Sequence, residues 1–171
     1  MKVSGTRAES AFWLHNPIPT PGNLYSFLRC ISVADKQLGN RWQYRSLTPA
    51  EQDAVVLPEH RHPLRAKPPA PELIGPDGLT AQDTARWLFE HPEYRHTNPK
   101  CWQKLNYVMD HVEVIYVSRE PINMPTYEQM QGFGEDHLYH LDGLHTLVAQ
   151  ALLRRLDDER GQRPIPAYIA G

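Results

Sequence analysis

The chain has 171 residues, 18 basic and 20 acidic side chains for a net charge of -2, and a hydrophobic fraction of 40%. That length suits one domain, or one domain with an N-terminal arm, and a core of this size needs no disulfide or metal staple. The near balance of charge excludes a partner held by bulk electrostatics, which sets aside nucleic acid and anionic membranes. No apolar run approaches the ~18 residues of a membrane span, and MKVSGTRAES has no signal-like apolar stretch, so the expectation is a soluble, cytoplasmic protein. Cys30 and Cys101 lack zinc-site spacing and are expected to be buried free thiols.

In chain order, FWLHNPIPTPGN carries three prolines and no periodicity, the pattern of an extended arm. Leu24, Phe27, Leu28, Ile31 and Leu38 then recur at helical spacing, and Gly39 supplies the stop. Thr48-Pro49-Ala50-Glu51 is a capping box with proline at the first helical position. Six prolines crowd residues 58–78, where missing amide donors block a helix; this predicts a connector between an N-terminal part, 1–57, and a core, 80–171. Thr80 caps TAQDTARWLFEH, with Ala85, Leu88 and Phe89 on one apolar face. Asn98-Pro99 opens a helix with Trp102, Leu105, Val108 and Met109 facing inward. HVEVIYV alternates as a strand, TYEQMQ predicts a short helix, and DHLYHL predicts a second strand. Leu144, Leu147, Val148, Ala151, Leu152 and Leu156 form a helical stripe ending near Gly161, and IPAYIA closes as a strand. The fold class is α+β: a small mixed sheet in the C-terminal half with packed helices, a helical N-terminal part and a long proline-rich loop.

Chemistry concentrates in residues 135–171. A strand ends at Leu141, Asp142-Gly143 turns, and an amphipathic helix starts at once. A helix start offers unpaired amides and a partial positive charge, which favour an anion such as phosphate. Gly143 lets a ligand approach the backbone, His145 and Thr146 add an imidazole and a hydroxyl, and Asp142 either caps the helix or holds a cation.

The run YHLDGLHTLVAQALL followed by IPAYIAG resembles the DGHHR segment of the ParB/sulfiredoxin-like superfamily, in which strand, D-G-x-H-R, helix and a short strand of the form IPVYV succeed one another. The resemblance runs from Val112 to Gly171, with Leu144 where related kinases often carry histidine and Thr146 where nearly all members carry arginine. The superfamily includes CTP-binding partition proteins, ATP-using sulfiredoxin and ParB-like free-serine kinases. It implies a phosphate site at Gly143, Leu144 and Thr146, Mg²⁺ at Asp142, ATP or another nucleotide as cofactor, and catalytic roles for Asp142, His145 and Glu113, the last as general base on a substrate hydroxyl. The function so implied is an enzyme acting on a small-molecule substrate, a phosphotransferase of specialised metabolism in its most concrete form, with a homo-oligomer left open.

Two alternatives stand beside it: a non-catalytic module with a degenerate nucleotide site, and a metal-assisted enzyme using His140, Asp142 and His145. His137 and His140, three apart on a strand, face opposite ways and cannot chelate one ion, whereas His140 and Asp142 share a face. Arg41, Arg45, Arg61 and Arg65, interleaved with Trp42 and Tyr44, are expected on a solvated face.

Overall fold

The computed structural model describes residues 2–3, 21–58, 80–124 and 137–171. Helix α1 (Pro21–Leu38) starts on a proline and stops at Gly39, which takes φ +80°, while the amides of Gly39 and Asn40 both return to the Asp35 carbonyl at 3.0 Å. The chain then enters strand β2 (Trp42–Leu47), which pairs with β1 (Lys2–Val3) at the sheet edge. Helix α2 (Pro49–Asp53) follows, started by the Thr48/Glu51 capping box. The Arg45 guanidinium chelates Glu51 and holds its carboxyl down at about 2.

Helix α3 (Ala81–Glu90) opens on a second complete box, Thr80/Asp83. The backbone bridge between Val56 and Thr80 and the Ala81 amide on the Val55 carbonyl place the two ends of the proline-rich stretch side by side. A single turn, α4 (Tyr94–Thr97), leads to α5 (Pro99–Asp110), then β3 (Ile115–Ser118), β4 (Tyr139–Asp142), α6 (Leu144–Arg155), a 3-10 turn at Glu159–Gln162 and β5 (Ile165–Ala170).

The five strands lie in the order β1-β2-β5-β3-β4. β5 runs antiparallel to β2 and parallel to β3, and β4 returns antiparallel to β3 with a register shift after Tyr116. The sheet is therefore mixed and carries helices on both faces. On one side Trp42, Tyr116, Tyr139, Leu141 and Tyr168 pack against Phe27, Ile31, Ala34 and Leu38 of α1, with the Phe27 and Tyr116 rings edge to face at 4.9 Å. On the other, Ile115, Val117, Ile165, Ala167 and Ile169 meet Leu144, Leu147, Val148 and Ala149 of α6, backed by Leu88 and by Leu105 and Val108 of α5.

This is the α+β architecture expected, with two differences in how the sequence distributes it. The sheet also takes in β2, which the sequence pattern left unassigned because only the end residues Trp42 and Leu47 of WQYRSL are fully buried. The strand expected over 111–117 begins only at Ile115, and all four of its residues are buried because both faces are covered. Several side chains also depart from expectation. Phe89 is 49% exposed rather than on the buried face, and the Arg155 guanidinium lies 5.3 Å over its ring. Trp42 is buried in the core and donates to Asp35, so it is not part of a solvated basic face. Leu156 is exposed, since α6 ends at Arg155 and not near Gly161. The extended arm, the helix expected at TYEQMQ, Arg61 and Arg65 lie outside the described residues.

Candidate functional site

The site is built where β4 ends and α6 begins. Asp142 is the last residue of β4, paired with Tyr116, and Gly143 turns the chain at φ +94° before Leu144 starts the helix. Glycine is needed here for two reasons. The left-handed backbone disfavours a side chain, and an added Cβ would run into the Ile115 side chain, 2.8 Å from its Cβ. The open side of Gly143 thus faces the core strand β3, so close packing alone accounts for the residue.

Asp142 is half-buried, and desolvation pushes its carboxyl up to about 6. The Gly143 amide opposes this by hydrogen bonding, the negative charge of Glu113 adds to it, and Lys104 counters. Glu113 sits in the half-buried approach to β3 and Lys104 on the exposed face of α5. The charges of Glu113 and Lys104 thus act in opposite directions on the carboxyl at the start of α6.

His145, half-buried in the first turn of α6, lies against α5: the Cys101 Sγ is 3.3 Å from His145 Nε2. Burial raises the Cys101 thiol, while a hydrogen bond from the Tyr94 hydroxyl and the charge of Lys104 pull the other way. Desolvation raises the Tyr94 hydroxyl as well, so it stays protonated as donor. Cys101 is thus half-buried and engaged with a histidine, whereas Cys30 is buried. No local signal marks this contact, because it joins residues 44 apart.

Leu144 and Thr146 are buried. Thr146 is 1% exposed, and its hydroxyl has no hydrogen-bond partner among the described residues. One turn on, Gln150 is 0% exposed and neither end of its amide is paired. The residues expected to bind phosphate therefore present backbone amides at the helix start, with the Leu144 side chain packed into the core. No side chain caps that start, which leaves its amides for a ligand.

His140 is buried and lies opposite Val117 in the register, on the α6 side of the sheet, as the alternation with Tyr139 and Leu141 requires. Among the described residues no group of three or more His, Cys, Asp or Glu side chains is placed to hold a metal ion. His140, Asp142 and His145 are accordingly not gathered into a ligand triple.

Residues 26–171 match DUF6309, a family of unknown function. The chain belongs to that family. The match takes in every element from α1 through β5, apart from the first residues of α1, and includes the whole β4–α6 site. No curated protein and no solved structure matches the chain. Among the described residues, no helix of this DUF6309 protein is long and apolar enough to cross a membrane.

Proposed function

We propose that this DUF6309 chain is a cytoplasmic enzyme that binds a phosphorylated small molecule or nucleotide at the β4–α6 junction, with phosphoryl transfer as the concrete reaction. The observation that carries the proposal is the Asp142 carboxyl at an uncapped helix start, pushed up to about 6 by burial, with the charge of Glu113 adding to the rise. A desolvated carboxyl on which a second negative charge acts is an arrangement that a cation or a proton relieves. The unpaired Thr146 hydroxyl in the same first turn adds support, since buried polar groups ordinarily find a partner.

The succession β4, Asp142-Gly143, α6 and β5 fits the ParB/sulfiredoxin-like likeness, which is part of this proposal. The residues present fit a Mg²⁺-bound phosphate in a restricted way: Asp142 and Glu113 would hold the ion, which needs only one or two carboxylates besides phosphate oxygens. When bound there, Mg²⁺ would supply charge neutralisation for the phosphates. The amides of Leu144, His145 and Thr146 orient the anion, and Lys104 supplies positive charge at the rim. His145 stands in the first turn to hold or pass a proton at the reacting group.

The test is a thermal-shift series with ATP, ADP, CTP and GTP, each with and without Mg²⁺. A nucleotide at 100 times its dissociation constant adds about 2.7 kcal/mol. That amounts to a rise of roughly 5–11 °C for a chain of this size. The expected result is a Mg²⁺-dependent rise with one nucleotide that disappears in Asp142→Ala. A flat series, or an equal rise in that variant, would remove the site from consideration.

A further inference from the structure

The phosphoryl-transfer proposal leaves the Cys101 thiol unused, yet its surroundings are those of a reactive group. Cys101 is the third residue of α5, and His145 is the second of α6. The Sγ–Nε2 contact of 3.3 Å therefore joins the first turns of two helices. Neither start is capped by a side chain, at Asn98 or at Gly143, whereas α2 and α3 each carry a complete capping box. Each of these helix starts favours negative charge developing near it. The Tyr94 hydroxyl also hydrogen-bonds to the sulfur. The charge of Lys104 acts on both Cys101 and Asp142.

We propose that Cys101 is a nucleophile with His145 as its base, and that the pair accepts an activated acyl group, an ester or thioester of a small molecule, onto the sulfur. The step begins from the thiol and an imidazole whose Nε2 can accept its proton. As the sulfur forms its bond to the carbonyl carbon, the thiol proton passes to His145 Nε2 and the carbonyl π electrons move onto oxygen. The uncapped amides meet that oxyanion. Its collapse breaks the bond to the alcohol or thiol leaving group, which takes the proton back from His145. The product is an S-acyl Cys101, and no oxidant, metal or nucleotide enters the balance. This activity goes beyond the phosphoryl-transfer proposal, with which it shares His145, and it is tested without nucleotide or Mg²⁺.

The experiment uses p-nitrophenyl acetate as the acyl donor and iodoacetamide as a thiol probe on the full chain, with no nucleotide or Mg²⁺ present. The expected result is a burst of nitrophenolate stoichiometric with protein and an acetyl group mapped by mass spectrometry to the Cys101 peptide. The burst is absent in Cys101→Ala and slowed about a hundredfold in His145→Gln. Iodoacetamide labels Cys101 well before Cys30, and the pH dependence of that labelling changes in His145→Gln. Cys101→Ser, which keeps a hydrogen-bonding group of similar size, retains the thermal midpoint and loses the sulfur label, so a loss of folding is told apart from a loss of reactivity. A burst that survives in Cys101→Ala, or labelling of equal rate and pH profile in His145→Gln, would overturn the proposal.

Discussion

Arg154, in the last turn of α6, closes a two-pronged contact with Asp53 of α2, with Nη2 2.5 Å from Oδ1 and Nε 3.1 Å from the same oxygen. The same guanidinium donates to the Gln52 side chain at 2.8 Å and the Gly161 carbonyl at 2.6 Å. Gln52 in turn donates to the carbonyls of Leu47 and Arg163. One planar fork thus joins α2, α6 and the turn before β5, and carries the link on to β2. Its side chain is only 10% exposed, so removing it strands a carboxylate and a buried amide together. Arg154→Ala is expected to cost about 3–5 kcal/mol in urea unfolding. Arg154→Lys should recover only part of that loss, since an ammonium lacks the fork.

Asp142 carries the opposite sign. Its pKa rises from an ordinary 3.8 to about 6 in the fold, so the folded chain holds a proton that the unfolded chain has released. The contribution of Asp142 to stability is therefore largest below pH 4 and falls as pH rises through 6. Asp142→Asn, which resembles the protonated form, should raise stability at pH 7.5 by up to about 3 kcal/mol. It should change little at pH 4. Melts of both proteins across this range in a chelating buffer give the comparison, and an equal effect at both pH values would refute it.

Gly143 allows no side chain. Its left-handed backbone and the Ile115 side chain act together against a Cβ, so Gly143→Ala should destabilise by about 2–5 kcal/mol. Chemical denaturation is the measurement, with Gly39→Ala as the comparison. Gly39 has a positive φ as well, but a Cβ there meets nothing nearer than 3.7 Å, so its loss should be the smaller.

The unpaired polar groups of Thr146 and Gln150 predict a gain. Replacing them by apolar groups of similar size, Thr146→Val and Gln150→Met, should hold or raise stability, by up to about 2 kcal/mol each. A clear loss would show that bound water satisfies these atoms in solution. The thermal shift with nucleotide should shrink in Thr146→Val if its hydroxyl meets the ligand.

Local chemistry was the legible part. The capping box at Thr48 and the cap at Thr80 stand where the sequence announced them, because a cap is written within four residues. The stripe of α6 and the apolar run of β5 were equally plain, since each buries most of its residues. β2 was opaque, as four of its six residues are only half-buried or exposed and its place depends on pairing with β5. The Asp142–Gly143 turn was visible as a motif, yet the need for glycine comes from Ile115, on another strand. Cys101 was invisible for the same reason: nothing in KCWQK announces a histidine on α6.

The sheet order also sets how the chain can reach its fold. β5 is the last strand in sequence, yet it lies between β2 and β3, and Trp42 finds its partner at Ala170. β2 reaches β3 and β4 only through β5, so its side of the sheet cannot join theirs until β5 has arrived. Pairings of such long sequence separation place the chain toward the slow, milliseconds-to-seconds end of domain folding. During synthesis α1 and β2 must wait, with Trp42 and Phe27 uncovered, until the strand that buries them emerges.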